Sequence, residues 1–334
     1  MKKQLKLNPM TGLAGAMTGL VFLVLGSLPA LSQPLPPAIL SDFTSKVGSR
    51  IEALNVLGGD IGLQGGTYKG NGSDFDTHLN VSKFGGGGDL GDPMPLGETG
   101  IGWQPRIQGS MGYVDAKKDF VGNSPLAGDE NEYKTFAIQF GGGARFWVND
   151  NLSFAPTFMG MYGHTKNDYD VNSALGQTYI AQAVQQGVVN WDVDTWTVRP
   201  AIQAAYVYTW HRTIFTAASD FTYYHTESFH SSSSLIDING DSESWRNMID
   251  VDVPTGVQVF GHELRSGGYF SRTELYDNLQ TGLNADHIYD FHPRIVLDFL
   301  NELWKVQWIG LGGSYLWGNT FHGYSIGIDI NFRF

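Results

Sequence analysis

Read back from its final residue, the chain alternates without a break. Phe334, Phe332, Ile330, Ile328, Ile326 and Tyr324 fill every second position, and Arg333, Asn331, Asp329, Gly327 and Ser325 lie between them. Strict period two puts six apolar side chains on one face of a strand and five polar or glycine positions on the other. A soluble sandwich shows such alternation over about five or six residues. Eleven residues is instead the length with which a tilted strand crosses a bilayer.

The pattern recurs upstream. Ile101, Trp103, Pro105, Ile107, Met111 and Tyr113 interleave with Gln104, Arg106, Gln108 and Ser110. Phe136, Ile138, Phe140, Phe146 and Val148 oppose Gln139 and Arg145, and Leu152, Phe154, Pro156, Phe158 and Tyr162 follow a tight Asn149-Asp150-Asn151 turn. Trp196, Val198, Ile202, Ala204, Tyr206 and Tyr208 face away from Thr195, Thr197, Arg199 and Gln203. Tyr289, Phe291, Ile295, Leu297 and Phe299 oppose Asp290, His292, Arg294 and Asp298. The apolar faces end in Tyr, Trp or Phe, as the interfacial girdles of a membrane barrel require.

Twelve strands are predicted, near 56–68, 74–84, 99–114, 132–148, 151–164, 191–209, 211–226, 243–254, 263–274, 286–299, 303–317 and 320–334. Connections near 149–151, 209–212 and 300–303 are short, and those near 115–131, 165–190, 227–242 and 275–285 are long. That alternation matches periplasmic turns and extracellular loops, with Gly85–Gly100 the exception, long on the short side. The phase slips after Trp304, Val306 and Trp308, which predicts a bulge near Trp308-Ile309. Pro105, Pro156, Pro200 and Pro293 fall within strands, where each is expected at a local bulge. The fold expected is all-β: one antiparallel transmembrane barrel of about twelve strands, with ten and fourteen as alternatives.

Two segments have another period. Ile39, Leu40, Phe43, Val47, Ile51 and Leu54 recur at helical spacing over 36–55, after Pro36-Pro37. This helix either threads the lumen as a plug or lies against the periplasmic mouth. Leu175, Tyr179, Ile180, Val184 and Val188 mark a second helix over 173–188, in the longest outer loop.

Residues 1–32 open with Lys2, Lys3 and Lys6, run apolar from Leu20 to Leu25, and close on Ala30-Leu31-Ser32. These are the parts of a secretory signal peptide cut before Gln33. Domains are therefore expected as signal peptide 1–32, helical segment 33–55 and barrel 56–334. Removing the leader changes the net charge from −12 to −15, which argues against a nucleic-acid partner, and the absence of cysteine excludes disulfides and thiolate metal sites.

Catalytic signals are sparse. His225 with Glu227, and His230 beside Ser231–Ser234, sit where a base and a nucleophile would have to meet, although a serine-rich loop tip is more often simply solvated. No catalytic residue is assigned, and the chain is expected not to be an enzyme and to need no cofactor. Asp237, Asn239 and Asp241, with Glu243, offer alternating oxygen ligands, but no EF-hand spacing follows, so no metal site is assigned and these three stay a weak candidate. The phasing turns Arg106, Arg145, Arg199, Arg294 and Arg333 inward, together with Asp220, Asp290, Asp298 and Asp329. These residues either pair with one another in a filled lumen or line a solute path.

A chain ending in an alternating strand with Phe334, Phe332 and Tyr324 resembles bacterial outer-membrane proteins, whose last strand is recognised by the barrel-assembly machinery. A short helix before about twelve strands, together with Trp317-Gly318 and Gly323-Tyr324-Ser325-Ile326-Gly327 near the end, resembles more narrowly the solitary autotransporter-like barrels. The resemblance implies an outer-membrane, translocator-type barrel without a passenger, embedded in lipid, monomeric and structural or translocation-related. A porin-like small-solute channel is the alternative.

Overall fold

Strands with one apolar face, long enough to span a bilayer, leave no open edge in lipid only if the sheet closes on itself. The computed structural model describes residues 37–60, 65–71, 75–122, 124, 126–303, 306–320 and 322–332, and in it the sheet closes. The elements run α1 (Pro37–Gly59), β1 (Gly66–Asn71), β2 (Phe75–Asp89), β3 (Met94–Pro95), β4 (Gly102–Phe120), β5 (Glu130–Trp147), β6 (Leu152–Asp170), α2 (Ala174–Gln185), β7 (Asp192–Trp210), β8 (Thr213–Ser231), β9 (Asn239–Val259), β10 (His262–Tyr276), α3 (Asp277–Leu283), β11 (His287–Leu303), β12 (Val306–Gly318) and β13 (His322–Phe332). Twelve antiparallel strands form the wall, β1 pairing with β13 to close it, and the two-residue β3 is an extra piece beside β4. No helix among the described residues is long and apolar enough to cross a membrane.

The short connections 148–151, 211–212 and 260–261 lie at one end of the barrel, the turn end. The opposite, loop end carries 121–129, 171–191, 232–238 and 277–286. Phe260 and Gly261 both have positive φ, 54° and 84°, the backbone that a two-residue type I′ hairpin requires. Outside, Tyr113 lies beside Phe136, Tyr162 beside Trp196, Phe221 beside Trp245, Phe270 beside Phe291 and Tyr315 beside Tyr324 across the ladders, forming one aromatic girdle toward the loop end. Trp103 with Phe146 and Tyr208 with Phe215 form its counterpart toward the turn end. Exposed Phe140, Phe158, Ile249, Ile295 and Leu311 fill the band between.

Three sequence-based expectations change. No strand begins at 56, because α1 continues to Gly59 and β1 starts only at Gly66; the apolar residues of 51–57 pack on all sides, which suits a buried helix better than a wall strand. The mid-strand prolines sit in unshifted registers rather than bulges, as in Pro156 opposite Ile202 and Phe158 opposite Pro200. Pro156, Pro200 and Pro293 each lack a ladder pair toward one neighbour only, as loss of a single N–H predicts. The bulge in β12 does occur, between Val306 and Trp308, slightly ahead of its expected place.

Candidate functional site

The barrel is not hollow at its loop end. Val47, Ile51, Ala53, Leu54, Val56 and Leu57 of α1 are buried against Val114, Tyr133, Ala137, Met161, Trp191, Tyr224, Leu275, Leu279 and Ile288 of the wall and loops. A helix about 10 Å across fits there only where the facing backbone gives way. Gly112, Gly163 and Gly282 supply that room: a Cβ on them would lie 2.3 Å from Gly58 O, 2.2 Å from Asn55 Oδ1 and 2.2 Å from Ser49 O. The helix is therefore inside the lumen, and the alternative of a helix resting on the periplasmic mouth is set aside.

Polar contacts fix its rotation and depth. Ser49 Oγ donates to Asn278 Oδ1 at 2.9 Å, Asn278 Nδ2 donates to Glu52 Oε2 at 2.9 Å, and the Ser242 hydroxyl also donates to Glu52. Deeper, Asn55 Nδ2 donates to Thr195 Oγ1 at 2.8 Å, and the Ser110 hydroxyl caps the Gly59 carbonyl. Just past the helix, Asp60 is 1% exposed and accepts two bonds from Arg199, Nε at 2.8 Å and Nη2 at 3.1 Å, as well as the Tyr224 hydroxyl. Lys83 Nζ donates to the Asp60 carbonyl at 2.6 Å. A buried carboxylate held bidentately by a guanidinium is a directional anchor, and losing either partner leaves an uncompensated buried charge.

Toward the turn end the lumen becomes polar. Asp89 pairs with Arg106 at 3.3 Å and with Arg145 at 2.8 Å; Arg145 also donates to Ser153 and Gln203. Gln203 Nε2 donates to Asp220 at 2.8 Å, Tyr269 donates to Asp290 at 2.8 Å, and Arg294 meets both oxygens of Asp250 at 2.6 and 2.9 Å. Asp329 lies 2.8 Å from His292 Nε2, and half-buried Asp298 stands opposite Glu263 and Trp308. A cavity of about 220 Å³ opens below Asp60 among Arg106, Arg199, Gln203, Asp220 and Arg246.

Of the residues singled out in the sequence, Arg106, Arg145, Arg199 and Arg294 each meet a carboxylate, while Arg333 and Phe334 lie outside the described residues. Phe332 ends β13 opposite Val306, and Tyr324 is exposed on the outer girdle. Sequence reasoning missed the partners Asp60, Lys83, Asp89 and Asp250. Asp250 and Asp252 could have been found, since they alternate with Ile249, Val251 and Val253; Asp60 carried no such signal.

His225 and His230 face outward at the loop end, away from the lumen. His225 sits 2.8 Å from Asp241 and 3.1 Å from Glu227, and His230 lies 3.3 Å from Asp194. Ser231, Ser232 and Ser233 spend their hydroxyls on the carbonyls of Ser233, Asp192 and Gly187. Asp237 accepts from Ser228, Asn239 opens β9 opposite Glu227, and Asp241 is taken by Tyr223 and His225, so these three do not converge.

A helix seated in the lumen of a twelve-stranded barrel is specific enough to compare with known proteins. The family model of the solitary outer membrane autotransporter beta-barrel domain matches residues 93–332. The chain belongs to that family. It is accordingly an autotransporter-type barrel of the bacterial outer membrane, surrounded by lipid. The fold is similar to the transport unit of the autotransporter AIDA-I from Escherichia coli, with a TM-score of 0.57 at 9% identity over 87% of this chain and 99% of that one. The translocator domain of NalP from Neisseria meningitidis aligns at a TM-score of 0.49 and 11% identity, over 81% of this chain and 86% of that one. The beta domain of the Bordetella autotransporter BrkA aligns at 0.48 and 12%, over 81% and 99%. Among curated proteins none matches the sequence.

Proposed function

We propose that this is a passenger-free translocator-type barrel, exported by cleavage before Gln33, whose lumen is occupied by its own helix and which performs no catalysis. The observation that carries this reading is the seat of α1: a glycine-lined apolar channel at the loop end and the bidentate Asp60–Arg199 anchor at its base. Such a fit stabilises one resting position and blocks the loop-end half of the lumen. The inward arginines and carboxylates then act as paired wall-filling groups below the plug.

Single-channel conductance of the refolded mature protein in planar bilayers tests this against a variant lacking residues 37–59. The intact barrel should be nearly silent, and removal of the helix should raise conductance at least tenfold. Steady, ion-selective conductance in the intact protein would defeat the reading and favour the second one. That second reading, a small-solute path, is supported by the 220 Å³ cavity and its mixed lining of Arg106, Arg246 and Asp220. Assembly is read as monomeric, with the terminal strand from Tyr324 to Phe334 presented to the barrel-assembly machinery.

A further inference from the structure

One stretch of the outer face is hollowed. Ala204 of β7, Ser219 of β8, Asn247 of β9 and Arg272 of β10 stand opposite one another in a single row across the ladders. Toward the loop end the row is bounded by Ile202, Phe221 and Trp245, and toward the turn end by Tyr206, Ile249 and Phe270, all exposed. Ala217 leaves a gap in the second of these ridges, and a groove of about 470 Å³ results, with Leu152 at one end and Arg272 at the other. Four strands at about 4.8 Å spacing make the row about 14 Å long.

The groove is inclined. Trp196 of the loop-end girdle pairs with Glu227, which lies beyond the girdle's Phe221 on the loop side, and Trp245 pairs with Glu274, which lies beyond Phe270. Rows of paired residues therefore climb toward the loops from β7 to β10. Arg272, just past Phe270, is the upper end at girdle level, and Ala204 lies deeper in the hydrocarbon. Two polar groups along the row have donors to spare. Arg272 Nε lies 2.6 Å from Glu274 Oε1, and its guanidinium stands 5.5 Å from the centre of the Tyr289 ring, which together hold it in place. Neither Nη of Arg272 has a hydrogen-bond acceptor among the described residues, and the exposed Asn247 amide has no hydrogen-bond partner among them. Ser219, by contrast, accepts from Trp245 Nε1 at 2.8 Å. Polar groups at lipid-facing positions are costly unless something there meets them. Free Nη donors suit a phosphate, and an amide suits a hydroxyl or a carbonyl. A chain that crosses one leaflet, about 15 Å, has the length of the groove.

We propose that the groove across β7–β10 is a lipid site, which holds one acyl chain of a phosphorylated glycolipid of the outer leaflet, with the lipid's phosphate on Arg272 and the head of the chain beside Asn247. The glycolipid is favoured over a phospholipid because the loop end of an outer-membrane barrel meets the outward leaflet, whose phosphate-bearing lipid is a glycolipid. The site is independent of the reading of α1 as a plug.

Native mass spectrometry of the refolded mature protein in detergent micelles tests this, with purified bisphosphorylated lipid A as the probe and phosphatidylglycerol as its competitor. The unaltered protein should retain one lipid A per chain, about tenfold more tightly than phosphatidylglycerol. Arg272→Gln removes the charged donors and Ala204→Trp fills the groove, and each should weaken retention about tenfold. Arg212→Gln, at an exposed arginine of the turn end, should leave retention unchanged. All are compared as folded barrels, recognised by heat-dependent mobility on gels. If Ala204→Trp does not fold, Ala217→Leu fills the same groove. Unchanged retention in Arg272→Gln or in the filled groove would overturn the proposal, and so would equal loss in Arg212→Gln or no retention by the unaltered protein. Phosphatidylglycerol held as tightly as lipid A would overturn the choice of a glycolipid. Pairs of chains that separate when the groove is filled would give it to a second copy and overturn the occupant named here.

Discussion

The two halves of the lumen are filled by different means. At the loop end an apolar helix lies against glycines and branched side chains, with only a few hydrogen bonds to set its depth. At the turn end the space is spanned by arginine–carboxylate pairs and keeps a cavity of about 220 Å³. Close packing is intolerant of added volume, whereas a hydrated ion-pair network can rearrange around a change. The Asp60–Arg199 pair stands at the border and belongs to both regimes, since it is buried like the core yet charged like the network.

That contrast can be broken from the loop end first. Gly112→Leu combined with Gly163→Leu places side chains where α1 now lies, the first against the Gly58 backbone and the second on the Asn55 side chain. We expect the helix to leave its seat, with exchange of amides 47–59 accelerating by several orders of magnitude while wall amides stay protected. Retained protection would mean that the glycines do not make the seat.

Asp60→Ala should come next. It strips Arg199 and the Tyr224 hydroxyl of their shared partner, and breaking a buried pair costs about 3–5 kcal/mol. Exchange at the base of α1 should rise about 100- to 1,000-fold, and the double replacement Asp60→Asn with Arg199→Gln should recover part of that loss. Arg294→Ala, in the turn-end network, should leave the helix in place. Its effect should be read only as altered ion selectivity once residues 37–59 are removed. Smallest of all, Lys117→Ala on the outer rim takes a half-exposed ammonium from Glu130 and from Glu132, which keeps Lys134 as a partner, and should change stability by no more than about 1 kcal/mol. A larger shift in thermal midpoint would show that the rim contributes more than an exposed ion pair does.

Topology offers a separate check on which end is outside. Cysteines placed in 232–238 should react with a membrane-impermeant maleimide on intact cells, and cysteines at 149–151 should not.

Much of this molecule was written in local pattern. Period two, read over eleven residues at the C-terminus and again in the segments upstream, determined an antiparallel barrel of about twelve strands, because a strand's two faces are set by its own residues whatever it pairs with. The helical period of residues 39–54 likewise determined that a helix precedes the wall. Only the tertiary structure decided where that helix goes, that it runs on through Val56 and Leu57, and that Gly112, Gly163 and Gly282 make its path. It also decided that Asp60 is the partner of Arg199, 139 positions away. Contacts of that kind depend on the closing register of twelve strands, and no window of sequence contains it.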